Sequence, residues 1–354
     1  MTGTQKAVVL QKKGEISFED RPAPEITDSH YVKIHVKKTG ICGSDIHYYT
    51  HGSIGEFVVK KPMVLGHESS GVVVEVGKDV TLVQVGDRVA IEPGVPSRYS
   101  DETKSGHYNL CPHMAFAATP PYDGTLVKYY LAPEDFLVKL PDHVSFEEGA
   151  CAEPLAVGVH ANRLAETSFG KNVVVFGAGP VGLVTGAVAA AFGASAVVYV
   201  DVFENKLERS KDFGATNTIN STKYKSEDEL TEVIKSELKG EQPEIAIDCS
   251  GAEICIRTAI KVLKAGGSYV QVGMGKDNIN FPIAMIGAKE LRVLGSFRYY
   301  FNDYKIAVKL ISEGKVNVKK MITHTFKFEE AIDAYNFNLE HGSEVVKTMI
   351  DGPE

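Results

Sequence analysis

The stretch that most constrains this chain is VVVFGAGPVGLVTGAVAAAFGA, from Val173 to Ala194. An unbroken apolar run passes through Gly177-Ala178-Gly179-Pro180-Val181-Gly182 straight into an alanine-rich segment. Apolar runs without alternation are strands buried on both faces, and few folds supply them other than a parallel sheet covered by helices. A G-x-G-x-x-G turn between such a strand and a helix lets backbone N–H groups approach a diphosphate at the helix N-terminus, where unpaired donors and the dipole favour negative charge. The plainer alternative is that the glycines only permit close strand–helix packing. The next strand, VVYVD, ends on Asp201 about 20 residues on, where a carboxylate accepts the ribose hydroxyls of an adenosine. Gly177, Gly179, Val181, Gly182 and Asp201 are therefore expected to bind a dinucleotide. Val202 and Phe203 follow the acid, with no arginine to receive a 2′-phosphate. Lys206 is near enough for a ribose but does not offset the carboxylate, so NAD is expected rather than NADP.

The same texture continues from about Glu153: IAIDCSG and SYVQVGMG are further apolar strands separated by amphipathic segments. The first 150 or so residues differ. YVKIHVKKTG, SGVVVEVGKDV and VGDRVAIEPG are short β-rich runs between Gly/Pro turns, with no long 3.6-period segment, and read as a largely antiparallel β unit. Mixed texture returns after about Gly295. The predicted organisation is a β catalytic domain over 1–155 completed by 296–354, and a doubly wound α/β domain over 156–295. Two domains suit 354 residues.

A net charge of −8 argues against nucleic acid and anionic membrane as partners, since both select clustered Lys and Arg. The longest apolar run, Leu183–Val200, is broken by Gly193 and Ser195 and reads as a buried helix passing into a strand rather than a membrane span. The N-terminal stretch carries no secretion signal pattern. Five scattered cysteines, an odd number, fit a reducing cytoplasm better than a disulfide framework.

Three residues in the β half invite a metal. Cys42 lies in a Gly-flanked turn after a strand, His67 in GHESSG, and Glu153 just before Pro154. A sulfur, a nitrogen and an oxygen from three loops can hold Zn²⁺ and leave a position for water or substrate. Taken singly, each has an ordinary alternative: a small buried thiol, a turn histidine, a helix N-cap.

GHESSGVVVEVGKDV matches the zinc alcohol dehydrogenase pattern G-H-E-x2-G-x5-G-x2-V in full, and Cys42 in GICGSDIH matches that family's first ligand. The chain resembles medium-chain dehydrogenases from end to end. GSDIHYY, PMVLGHESSG, GDRVAIEPG and GSFRYY are similar to the sorbitol and xylitol (polyol) dehydrogenase branch, the yeast enzymes in particular. The resemblance implies a GroES-like catalytic domain with a Rossmann NAD domain, and zinc held by Cys42, His67 and Glu68 with Glu153 close by, through water or directly. It implies a proton relay through Ser44 and His47, and substrate contacts from Tyr48, Glu153, Arg298 and Tyr299. By the same resemblance Val272, Gly273, Met274, Ser296 and Phe297 line the nicotinamide, and Arg298 reaches the cofactor.

One departure is informative. Relatives with a structural zinc carry four cysteines at C-x2-C-x2-C-x7-C; this chain has Ser97, Ser100, Thr103 and Cys111 there. One thiolate cannot hold tetrahedral zinc, so one catalytic zinc per chain and no structural zinc are expected. The expected activity is oxidation of a polyol at C2 with NAD, sorbitol to fructose and xylitol to xylulose, in a cytoplasmic homo-oligomer, a tetramer by resemblance. A sibling with L-arabinitol, xylitol or threonine as main substrate is the nearest alternative. A non-catalytic dinucleotide-binding redox sensor is the alternative of another class, against which the intact Cys42, His67, Glu68 and Asp201 speak.

Overall fold

The structure is a computed structural model and describes residues 3–342 and 344–354. The chain divides into two compact units, one running to Glu153 with Tyr300–Ser312 and Val318–Glu354, the other holding Pro154–Tyr299 and Glu313–Asn317. These bounds differ by a few residues from the expected 155/156 and 295/296, and no local pattern marks the short Glu313–Asn317 segment.

The first unit is built on a mainly antiparallel sheet. Its core strands are β1 (Tyr31–Gly40), β2 (Glu68–Val76) and β3 (Arg88–Ile91), in spatial order Leu137–Lys139, β3, β2, β1, Lys347–Asp351, Ile322–Phe326. Tyr129–Pro133 also pairs with β1. In β1 the residues Val32, Ile34 and Val36 point inward and pack with Val73, Val89 and Ile91; that two-residue period buries one face of the strand.

The register sets up the chemistry. Gly40, the last residue of β1, lies opposite Glu68 on one side and Met349 of the C-terminal strand on the other. Register shifts in the β1–β2 pairing, one between Val36 and Lys38, bring this about.

The turn after Cys42 opens a nine-residue helix, α1 (Gly43–His51), inside the half expected to be largely antiparallel β with no long 3.6-period segment. At two and a half turns it is too short to show a period. Local capping sustains it: Cys42 is its N-cap, the Asp45 carboxylate accepts from the Cys42 N–H at 3.2 Å, and Gly52 closes it at φ 78°. The helix after Cys151 starts at Ala152, so Glu153 lies in its first turn and is not its N-cap. Pro154 fits there because first-turn N–H groups have no intrahelical partner.

The second unit is a six-stranded, all-parallel sheet. Its strands are β4 (Asn172–Phe176), β5 (Ala196–Asp201), β6 (Asn217–Asn220), β7 (Ile245–Asp248), β8 (Ser268–Gln271) and β9 (Arg292–Gly295). The order is β6-β5-β4-β7-β8-β9, reversing at β4. Helix α2 (Pro180–Ala191) follows β4. Val174, Phe176, Val198, Val200 and Ala246 are all at most 1% exposed, as buried parallel strands require. In such sheets ligands bind beyond the carboxyl ends of the strands at the reversal point. Among the described residues no helix is long and apolar enough to cross a membrane.

Candidate metal centre and dinucleotide site

Cys42 is delivered by the step from β1 into α1, and His67 and Glu68 by the start of β2. One donor atom from each lies within 4.8 Å of the others, the single grouping of three such residues among those described. His67 and Glu68 are buried; Cys42 is half-buried.

Behind the histidine sits Asp45, wholly buried, with Oδ1 3.4 Å from His67 Nδ1. Neither atom has a hydrogen-bond partner, so the contact is electrostatic and not closed into a bond. Burial disfavours the charged imidazole, but Asp45 and the Cys42 sulfur outweigh it and hold His67 well above its ordinary pKa. A cation at the donor cluster relieves this arrangement: it neutralises the sulfur, and an imidazole bound through one nitrogen presents the proton on the other to a carboxylate. The residues fit a zinc ion.

Glu68 has a partner already. Lys347 Nζ, 3% exposed, donates to both Glu68 oxygens at 2.6 Å and to the Ile41 carbonyl at 3.1 Å. Against the cost of burial, the Glu68 carboxylate and the Cys42 sulfur raise the lysine pKa, so Lys347 is a buried cation. The two side chains meet across β1 at Gly40, where a Cβ would stand 2.3 Å from Glu68 Oε2 and 3.2 Å from Lys347 Cδ. Only glycine leaves that space.

Glu153 is buried but lies outside the Cys42–His67–Glu68 grouping. It is near enough to Tyr304 to add to the burial that raises that phenol. On α1, Ser44 is half-buried in the first turn, Tyr48 is buried one turn later, and His47 is exposed with its ring stacked on His51 at 4.3 Å. Cys151 is a neutral thiol, pushed up to about 12 by burial.

The lobe with the missing cysteines is closed by hydrogen bonds. Cys111 Sγ accepts from the Ser97 N–H at 3.4 Å, and Ser100 Oγ lies 3.0 Å from Thr103 Oγ1. Burial raises the Cys111 thiol, yet the Ser100 and Thr103 hydroxyls with the Ser97 and His113 backbone bring it below its usual value.

In the second unit, Gly177 turns at φ 95°, Gly179 is the N-cap of α2, and a Cβ at Gly182 would fall 1.9 Å from the Gly177 carbonyl. Asp201 ends β5. Its Oδ2 accepts from the Ala178 N–H at 2.6 Å, and its Oδ1 from the N–H groups of Val202 (2.7 Å) and Phe203 (3.0 Å). The carboxylate is tied to the glycine turn, and about one of its roughly four acceptor positions stays open. Lys206 Nζ stands over the Phe203 ring at 4.9 Å. Val272 and Gly273 are half-buried beyond β8, and Met274 is 71% exposed. The Ser296 N–H donates to the Gln271 carbonyl at 2.8 Å. Arg298 adopts φ 55° with its guanidinium 4.8 Å from the Phe297 ring centre, and Tyr299 is buried.

Sequence reasoning missed Asp45 and Lys347. Asp45 had a faint signal, an acid three residues past a candidate ligand. Lys347 had none, being 279 positions from its partner.

The comparisons with known proteins describe the same pairing of a mainly antiparallel domain with a dinucleotide-binding-type domain in one chain. The alcohol dehydrogenase GroES-like domain family matches residues 28–142 and the zinc-binding dehydrogenase family matches 180–313. The chain belongs to the zinc-binding dehydrogenases of the alcohol dehydrogenase family, and within it to the polyol dehydrogenase branch. Sorbitol dehydrogenase 1 of Saccharomyces cerevisiae is 65% identical over 350 residues, 98% of each chain. D-xylulose reductase of the same yeast is 52% identical over 99% of each. Among solved structures, L-idonate 5-dehydrogenase from Escherichia coli K-12 superposes with a TM-score of 0.90 at 28% identity, over 99% of both chains.

Proposed function

We propose that this protein oxidises polyols at C2 with NAD as hydride acceptor, using one catalytic zinc per chain: sorbitol to fructose, and xylitol to xylulose. The observation that carries the reading is the convergence of half-buried Cys42 with buried His67 and Glu68, backed by Asp45 and Lys347. The greater identity to sorbitol dehydrogenase than to D-xylulose reductase favours sorbitol as the main substrate.

Zinc supplies Lewis acidity that makes a bound hydroxyl acidic, and NAD accepts the hydride. The chain's own residues do the rest. Cys42 and His67 would hold the ion, Asp45 would hold the imidazole proton and orientation, and Glu68, held by Lys347, would be the third residue of the set. Ser44, half-buried beside Cys42, takes the hydroxyl proton and passes it to His47, whose exposed ring delivers it to water. Tyr48, Glu153, Arg298 and Tyr299 pair the remaining hydroxyls, which an aliphatic pocket would leave unsatisfied at a cost of about 1–3 kcal/mol each.

In the second unit the α2 N-terminus faces the diphosphate, and Asp201 accepts a ribose hydroxyl and repels a 2′-phosphate. Val272, Gly273, Met274, Ser296 and Phe297 line the nicotinamide. Cys151, buried, and Cys249 and Cys255, half-buried, are neutral thiols with pKa values raised by desolvation, which suits a reducing cytoplasm. A homotetramer is the assembly we assign, to be read from the solution mass.

The test is initial-rate NADH formation across sorbitol, xylitol, L-arabinitol and threonine, with zinc measured on the same sample. Turnover of sorbitol and xylitol with about one zinc per chain supports the reading. No polyol turnover by the zinc-loaded protein overturns it in favour of a non-catalytic dinucleotide-binding protein.

A further inference from the structure

Asp248 ends β7 and is wholly buried. Its Oδ1 accepts from Ser250 Oγ at 2.7 Å and from the Ser250 N–H at 3.4 Å. Its Oδ2 accepts from the Gly251 N–H at 2.7 Å and from Gln271 Nε2 at 2.9 Å. The Asp248 main-chain carbonyl receives the N–H groups of Val272 and Gly273, both at 2.8 Å. Gln271 bridges the two loops, because the same Nε2 donates to the Gly273 carbonyl at 2.6 Å. The Tyr269 hydroxyl on Gln271 Oε1 fixes which way that amide faces.

The loops so tied are in backbone contact. A Cβ on Gly251 would fall 2.2 Å from the Met274 carbonyl oxygen, one on Gly273 2.4 Å from the Gly251 nitrogen, and one on Gly275 1.9 Å from the Gly251 carbonyl. Yet the outer side of the loop is open, with Met274 71% exposed. Apolar packing does not hold it from that side; the carboxylate and the amide hold it from beneath.

We propose that Asp248, bridged by Gln271, is a positioning residue for hydride transfer, locking Val272–Met274 in the conformation on which the nicotinamide ring rests. The inference depends on the assignment of that loop to the nicotinamide made above. Asp248 touches neither cofactor nor substrate. It acts by fixing the plane against which the ring is held, and an ångström of misplacement costs such a reaction about 10²-fold.

The test uses the zinc-loaded, full-length protein and the variants Gln271→Ala, Asp248→Asn and Asp248→Ala. Affinities are measured for NADH and for ADP-ribose, which shares the adenosine and diphosphate but lacks the nicotinamide. Gln271→Ala removes a half-buried side chain, so the fold survives it if Asp248→Ala does not. Expected for Gln271→Ala is ADP-ribose binding within about twofold of the unmodified protein, NADH weakened about tenfold, and kcat lowered about 10²-fold with the polyol KM little changed. Asp248→Asn, which keeps an acceptor for the Gly251 N–H, recovers part of what Asp248→Ala loses. Equal weakening of both ligands would make Asp248 a support of the whole unit, and no weakening would mean the loop holds itself; either overturns the proposal. If the unmodified protein binds the two ligands equally tightly, the nicotinamide assignment itself fails.

Discussion

Replacing Lys347 with methionine tests how the buried carboxylate is shared between the lysine and the metal. Lys347 and Glu68 are 3% and 1% exposed and joined by two 2.6 Å bonds, so water cannot screen either charge. In the metal-free protein the change leaves Glu68 buried without its cation, at a cost of roughly 3–5 kcal/mol. With zinc bound, the ion takes over as the neighbouring cation, and the cost falls to about 1 kcal/mol, the net value of an ordinary lost hydrogen bond. The difference of roughly 2–4 kcal/mol must reappear as tighter zinc binding, about 30-fold to nearly 1,000-fold at about 1.4 kcal/mol per tenfold. The assay pairs urea unfolding of the chelated and zinc-loaded forms with competition against a chelator of known affinity. Equal loss of stability in both forms, or weaker zinc binding in Lys347→Met, would refute the reasoning and leave Glu68 as the lysine's partner alone.

Removing zinc with a chelator should abolish polyol turnover while far-ultraviolet circular dichroism stays unchanged, since no strand of either sheet depends on the ion. The triple variant Ser97→Cys, Ser100→Cys, Thr103→Cys should raise zinc content from about one to about two per chain by surrounding Cys111 with three more thiolates; content still near one would show that the lobe cannot close around a metal. Asp201→Ala should lower NAD affinity roughly 10- to 100-fold, from about 1.5–3 kcal/mol per charged hydrogen bond, and shrink the ratio of kcat/KM for NAD over NADP; an unchanged ratio denies the carboxylate its selecting role. Glu92 is pushed up to about 8 by burial, with Asp303 and Asp135 adding to it against the Tyr108 hydrogen bond. A folded-state pKa above the ordinary 4.5 means its favourable contribution is complete below about 4.5 and is lost as pH rises toward 8. Glu92→Gln, neutral throughout, should therefore gain on the unmodified protein between pH 5 and 8.5 in urea midpoint, and a gap that stays constant over that range would count against the assignment.

Much of the second unit can be read residue by residue because its determinants are local. The apolar run 173–176, the glycines at 177, 179 and 182, and the acid closing the next strand lie within 29 positions, and each imposes its own backbone geometry. Even there only the tertiary structure shows that Asp201 spends most of its acceptor capacity on the glycine turn and the residues that follow it, and that Asp248 reaches the loop after β8. Cys42 and His67 were legible as candidate ligands from their residue types and by resemblance to a family. Their convergence was not, because it depends on antiparallel pairing of β1 with β2 and on bulges that set Gly40 against Glu68. Helix α1 escaped detection since its stability lies in capping by Cys42, Asp45 and Gly52 rather than in an apolar period. Lys347 marks the limit. A lysine near a C-terminus reads as solvated surface, and nothing within a window of ordinary length distinguishes it. The sheet carries its strand alongside β1, where the missing side chain of Gly40 opens a path to Glu68. A charge becomes buried and paired only when strands far apart in the chain are laid side by side, so its role belongs to the tertiary structure.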